Sequence, residues 1–150
     1  MDSFEKACKH WDAIMKRFAE QISDGMIQAL TDTQWIYEKK KIRVCEPDDN
    51  GKKKRCAIGA GYYSNAILNS RDANAVWKVF KQFSETHGLR KTERLRNNEK
   101  ELGWYNFRAE NTSTDDKFSC SISLPGEWTK PNISLSLFIG PRYRDVDLLD

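Results

Sequence analysis

The last third of the chain contains three short segments in which apolar and polar residues alternate. They span residues 105–110, 118–124 and 133–139, and turn-forming residues separate them. Alternation with a period of two places every second side chain on the same face of a β-strand. Connections this short join neighbouring antiparallel strands. The three segments therefore predict an antiparallel meander with one buried face and one face in water.

Two other segments have the three- and four-residue apolar spacing of amphipathic helices. They cover residues 3–23 and 71–87. The second helix can be capped at its start by Ser70 or Asp72, since both side chains can accept a hydrogen bond from a free backbone N–H. These two helices supply the apolar stripes that a half-buried sheet needs as cover.

Two predicted strands, 33–45 and 55–67, form a hairpin around a segment that ends in Asn50-Gly51. This dipeptide is the strongest short signal for a hairpin turn. Glycines within the second strand indicate a bulge or a close approach of another backbone. Residues 89–95 predict one more short, charged strand.

These elements give the order α-β-β-α-β-β-β-β. The simplest arrangement is a two-layer α+β fold, in which two helices pack on one face of one antiparallel sheet. The length of 150 residues fits a single domain, 1–150, and residues 141–150 are predicted to be a polar tail.

Composition narrows the class of protein. The net charge of +3 is too small for a dedicated nucleic-acid binder, and no apolar run approaches the length of a membrane span. Residues 1–10 show no signal peptide. Two interpretations stay open: the protein is cytoplasmic as written, or an export signal preceded residue 1 and was removed.

The four cysteines bear on the cellular compartment, because an even number suits disulfides in an oxidising environment. Cys45 and Cys56 flank the first hairpin turn and are predicted to form a disulfide. Cys8 and Cys120 lie on predicted buried faces, and they are either two small buried apolar residues or a second bridge. No cysteine spacing indicates a structural metal.

No motif for catalysis or cofactor binding is present. The chain has two histidines, no nucleophile elbow, no HExxH and no phosphate-binding glycine loop. We therefore expect no enzyme activity, no cofactor and no metal. A cavity with two converging acids or a histidine would favour an enzyme instead.

The predicted binding surface is the exposed face of the meander together with the basic hairpin at its edge. Exposed aromatic residues are common anchors for partners, and strand parity places two tryptophans on or near this face. The basic residues could meet an acidic partner, or they could simply be a solvated edge that prevents aggregation. The candidate residues are Trp104, Trp128, Lys52, Lys53, Lys54 and Arg55.

The chain also resembles the LppA-like lipoproteins of actinobacteria over residues 5–140. The resemblance rests on an N-terminal helix, a strand that opens at Trp35, a hairpin with cysteines, a second helix and a final meander. The sequences that carry it are Asn65-Ala66-Ile67-Leu68, Asp72-Ala73-Asn74-Ala75-Val76-Trp77 and His87-Gly88. The resemblance implies an exported protein held by a lipid anchor upstream of this sequence. It supplies no catalytic residues.

These observations predict an exported, surface-anchored binding or structural domain without catalytic activity. Its partner would be a protein or an envelope component, it would touch the membrane only through the removed anchor, and it would be a monomer. The alternative is a cytoplasmic protein-interaction module, such as an immunity protein that neutralises a toxin.

Overall fold

The computed structural model describes residues 1–127 and 129–148. The helices are α1 (Phe4–Ile22), α2 (Ser70–Thr86) and α3 (Glu99–Leu102), and the strands are β1 (Ile36–Glu38), β2 (Lys41–Pro47), β3 (Lys53–Ser64), β4 (Lys91–Leu95), β5 (Trp104–Asn111), β6 (Asp116–Ser123) and β7 (Asn132–Arg142). Short 3-10 turns cover Gln28–Leu30 and Asp145–Leu148.

The strands form one seven-stranded antiparallel sheet in the order β1-β3-β7-β6-β5-β4, with β2 also paired to β3. The predicted α+β class, the meander and the packing of two helices on one sheet are confirmed. The first predicted strand, 33–45, differs in that it is divided into β1 and β2. At the break, Lys40 forms an ion pair with Asp12 of α1. The break lies opposite Gly59 and Ala60, where β3 itself has a bulge.

Both long helices lie on the same face of the sheet. α1 packs across β3 and β7, and α2 packs across β4, β5 and β6. Phe18 of α1 is fully buried where the two helices meet the sheet. Its ring centroid lies 5.2–5.9 Å from the rings of Phe80, Phe83 and Phe118, in edge-to-face contacts. The core therefore joins α1, α2 and β6 through aromatic side chains.

The cap of α2 differs from the prediction. Asn69, one residue before the helix, accepts a hydrogen bond from the backbone N–H of Asp72 at 2.8 Å. The Asp72 carboxylate in turn accepts one from the backbone N–H of Asn69 at 3.1 Å. This reciprocal capping box satisfies two N–H groups at once, which neither Ser70 nor Asp72 alone would do.

The glycines of β3 fulfil both predicted roles. Gly59 has a φ of +77° and lies at a bulge, where the register with β7 shifts between Ile58 and Ala60. At Gly61 a Cβ atom would collide with the carbonyl oxygen of Leu135 on the neighbouring strand. Glycine at this position therefore permits close pairing of β3 with β7.

Residues 141–148 contain ordered contacts where a tail is predicted. β7 continues to Arg142, whose side chain is buried and paired with Asp116. The backbone N–H of Phe4 donates to the carbonyl of Tyr143 at 2.8 Å. The backbone N–H of Asp145 donates to the carboxylate of Glu5. The beginning and the end of the described chain therefore lie side by side, while residues 149 and 150 fall outside the described part.

Candidate functional site

The face of the sheet opposite α1 and α2 is the candidate site, and we call it the open face. The polar residues that alternate with buried apolar residues along the meander strands lie on this face. Its central side chains are mostly small and polar: Ser119, Ser121 and Ser123 on β6, and Ser134 and Ser136 on β7. Ser119 and Ser136 hydrogen-bond to each other at 2.6 Å across the two strands.

The open face carries a cavity of about 470 Å³. Its apolar side is formed by Ile58 of β3 and Phe138 of β7, which lie opposite each other in the register. Its polar side is formed by side chains of β4, β5 and β6, namely Lys91, Glu93, Arg108, Glu110, Lys117 and Ser119. A cavity of this size, apolar on one side and polar on the other, is typical of a binding site for a small molecule or a short chain segment.

The two lysines of the cavity are engaged with neighbouring groups. Lys91 Nζ lies 3.2 Å from the carboxylate of Glu110. Lys117 Nζ lies 3.5 Å from the carboxylate of Asp115 and 5.3 Å from the centre of the Phe138 ring. These contacts hold each ammonium group near the wall of the cavity.

Arg108 is the third exposed cation of the cavity. In the register it stands between Glu93 on β4 and Ser119 on β6. Within residues 1–127 and 129–148, no side chain forms an ion pair or accepts a hydrogen bond from its guanidinium. A guanidinium presents several N–H donors in a planar fork that fits a carboxylate or a phosphate. Arg108 and the neighbouring hydroxyls can therefore bind an anionic group.

The predicted basic cluster packs against the C-terminal segment. Lys52 Nζ donates to the backbone carbonyl of Asp147 at 2.9 Å, and Lys54 Nζ lies 5.0 Å from the centre of the Tyr143 ring. Arg55 Nη1 donates to the carbonyl of Lys53 at 2.9 Å, and of these four basic residues only Lys53 is exposed. Three of the four basic residues of the predicted surface thus make contacts within the domain.

The two parts of the predicted surface do not meet. Trp104 lies on the open face, 38% exposed, in the row of Ser123 and Asn132 at the start of β7. Arg55 pairs with Arg142 at the other end of β7. A strand rises about 3.3 Å per residue, which separates the two ends of β7 by roughly 33 Å. Trp128 lies outside the described residues.

All four cysteines are free thiols in the structure. The Cys45–Cys56 bridge is thus not formed in the structure and stays a prediction for the oxidised protein. Arg43, rather than Cys45, lies opposite Cys56, and the pairing shifts just after Val44. The two thiols are diagonal neighbours on one face, and burial, followed by the proximity of Cys45, raises the pKa of Cys56.

Cys8 and Cys120 are separately buried, so the second bridge is not formed either. Burial raises the pKa of both thiols. Cys8 lies among Lys40, Asp12 and Arg142, whereas Cys120 lies in the middle of β6 between Phe107 and Leu135. The interpretation of two small buried residues fits this arrangement.

Alkylation of the folded protein should follow this burial. We expect iodoacetamide to modify Cys45 first and Cys56 more slowly. Cys120 should react only through unfolding, slower than Cys45 by about a thousandfold or more. Peptide mass spectrometry over time would measure the four rates. Equal rates at Cys45 and Cys120 would contradict the buried position of Cys120.

Asp116 is buried, and hydrogen bonds within the core hold its carboxylate. Its carboxylate accepts hydrogen bonds from Arg142 at 2.6 and 2.7 Å, from the Trp11 indole at 3.0 Å and from the Gly140 backbone N–H at 2.9 Å. These donors occupy both oxygens, and Asp116 faces the core rather than the cavity. Among the described residues, no group of three or more His, Cys, Asp or Glu side chains could hold a metal ion.

Neither a family model nor a curated protein sequence matches the chain. Among solved structures, LppA from Mycobacterium tuberculosis, named as a lipoprotein, superposes with a TM-score of 0.69 over 99% of this chain and 83% of its own, at 12% sequence identity. The chain has the LppA fold. The predicted resemblance to LppA-like proteins is therefore confirmed for the fold.

The likeness to LppA extends over both layers, including the open face. Among the helices that the structure describes, none has the length and apolar character needed to span a membrane. Sequence reasoning found the open face and Trp104 but missed Arg108, Ile58 and Phe138. The position of Arg108 on the open face follows from the same parity as that of Trp104, because both residues alternate with the buried Tyr105 and Phe107.

Proposed function

We propose that this chain is a non-catalytic binding domain of the cell envelope and that its ligand enters the cavity of the open face. The observation that carries the proposal is the Arg108 guanidinium at a 470 Å³ cavity with an apolar side. The likeness to LppA, a protein named as a lipoprotein, supports the envelope as its location.

The cavity favours a ligand with an anionic group and an apolar part. Arg108 would bind a carboxylate or a phosphate, and the Ser119 and Ser136 hydroxyls would orient it. Ile58 and Phe138 would cover the apolar part. The described cavity lining holds neither histidine nor cysteine, and its two serines bond to each other. Of its two acids, Glu93 and Glu110, the second forms an ion pair with Lys91. These features support binding without catalysis.

Titration of isotope-labelled protein with phenyl phosphate and with benzoate tests the binding site. We expect amide shifts at Arg108, Ser119 and Phe138. Replacing Arg108 with alanine should weaken binding about 10- to 100-fold, because a hydrogen bond to a charged group contributes about 1.5–3 kcal/mol. Arg71→Ala, an exposed arginine on α2, is the matched control and should bind like the wild type.

Equal affinities for the wild type and Arg108→Ala would reject the cavity as the anion site. The location is tested separately by fractionating cells of the source organism that express the tagged, full-length gene product. Recovery with the envelope is the expected result, and recovery with the cytosol would reject the envelope assignment.

A second candidate is a cytoplasmic protein-interaction module, such as an immunity protein. The observation in its favour is that all four cysteines are free thiols, which is the usual state in a reducing compartment. Alkylation of thiols in intact cells separates the two candidates. Alkylation of both Cys45 and Cys56 would favour the cytoplasm, and an oxidised Cys45–Cys56 pair would favour export.

A further inference from the structure

The most exposed apolar side chains within the sheet lie along its β1–β2 edge. Ile36 and Tyr37 of β1 are 43% and 47% exposed, and Ile42 and Val44 of β2 are 58% and 56% exposed. Single exposed apolar residues are ordinary, but a row of them on one strand edge marks an interaction surface. The open-face cavity does not include these four residues.

The helix layer ends just before this edge. Ile42 lies directly opposite Ala57 of β3, on the face that α1 covers. Ala57 is 1% exposed, while Ile42 beside it is 58% exposed. The helix layer therefore ends between β3 and β2. Ile42 and Val44 continue the apolar face of the sheet beyond it and are not covered by a helix.

The same strand has an unpaired backbone edge. Among the described residues, β2 pairs with β3 on one side, and no strand lies on its other side. Such an edge presents alternating N–H and C=O groups, to which an extended chain can bind as an added strand. The exposed Ile42 and Val44 and the free backbone thus belong to a single strand, β2.

Charge identifies the kind of chain that fits. Lys39, Lys41 and Arg43 are exposed here, and no ion pair involves them within the described part of the chain. Glu38 and Glu46 limit this basic stretch at its two ends. Two copies of β2 paired with each other would bring their basic residues together on one face, and like charges destabilise such pairs.

We propose that the β2 edge binds an extended acidic segment of another protein as an eighth strand of the sheet. Acidic side chains of that segment would lie opposite Lys41 and Arg43, and apolar side chains opposite Ile42 and Val44. The partner segment therefore alternates acidic and apolar residues. This surface is separate from the cavity, so the inference does not depend on the proposed ligand.

Three peptides of about eight residues, the usual length of a strand, test this inference. The probe alternates glutamate and valine. One control alternates lysine and valine, and the other is the probe with methyl groups on the amide nitrogens that face β2. We expect the probe to shift the amide signals of residues 41–46 and to bind at least about tenfold more tightly than either control, because charge and backbone pairing both contribute.

Two variants locate the binding site on the protein. Arg43→Glu should weaken binding of the glutamate probe about tenfold or more and improve binding of the lysine control, because it reverses the charge opposite the peptide. Arg71→Glu makes the same change on α2 and should have no effect. Val44→Thr keeps the strand propensity and should weaken binding by reducing apolar contact.

The inference is overturned if the three peptides bind equally, or if binding is equal in Arg43→Glu and Arg71→Glu. It is also overturned if sedimentation shows a dimer that Arg43→Glu alters, since a second copy would then occupy the edge. A failure of Arg108→Ala to change anion binding would reject the proposed cavity function and leave this result unaffected.

Discussion

Replacing Asp116 with alanine is expected to lower the free energy of unfolding by about 3–5 kcal/mol, the usual cost of removing one partner from a buried ion pair. The side chains of Asp116 and Arg142 are each 5% exposed. The variant would leave the Arg142 charge, the Trp11 indole N–H and the Gly140 N–H without their acceptor. Urea unfolding at neutral pH would measure the loss.

The same carboxylate should make stability depend on acid. Burial alone would raise its pKa, but the hydrogen bonds and charge of Arg142 and the Gly140 N–H outweigh burial and hold the pKa below the ordinary value of 3.8. Its contribution is therefore complete above pH 3.8 and is lost as the pH falls through the lowered pKa. The stability difference between the wild type and Asp116→Ala should shrink over that range.

Asp49→Ala is the control for both measurements, because Asp49 is exposed in the turn before β3. Its effect should be within about 0.5 kcal/mol, as for most surface substitutions. Equal losses in Asp116→Ala and Asp49→Ala would mean that the buried pair does not hold α1, β6 and β7 together as the structure implies.

Phe18→Ala is expected to cost a similar amount, about 3–5 kcal/mol, because it removes a fully buried ring and leaves a cavity. The ring contacts α2 and β6 as well as its own helix, so the cavity would open where the layers join. Phe18→Leu retains much of the volume and should cost roughly 1–2 kcal/mol. Chemical unfolding curves would give both values.

The exposed Lys16 supplies the neighbouring control on α1, and Lys16→Ala should leave stability nearly unchanged. If Phe18→Ala lost no more stability than Lys16→Ala, the aromatic contacts between the helices and the sheet would not be a main part of the core.

The layers of this fold were predictable because each depends on a local pattern. Alternation at 118–124 and 133–139 gave β6 and β7, and apolar spacing gave α1 and α2. The local pattern could not predict the break at Lys40, since the break lies opposite a bulge in another strand, β3. The cap at Asn69 was missed because three neighbouring residues could all accept the bond.

In the candidate site, too, local patterns predicted the face on which a residue lies but not its distant neighbours. Parity placed Trp104 on the open face, and it would have placed Arg108 there too, since the two residues are on the same strand. Parity does not reveal how far apart two residues lie along the sheet, so it could not show that Trp104 and Arg55 lie at opposite ends of β7. The Asp116–Arg142 pair connects two strands through a register that only the assembled sheet defines.

The contacts of Phe4 with Tyr143 and of Glu5 with Asp145 make the architecture almost circular. A short linker between these ends would close the backbone into a ring without moving a helix or a strand. The ring could then be opened in an exposed turn such as Asn50–Gly51 with all strand pairs retained. The packing therefore does not require one order of the segments, and several circularly permuted orders are compatible with one sheet and one core.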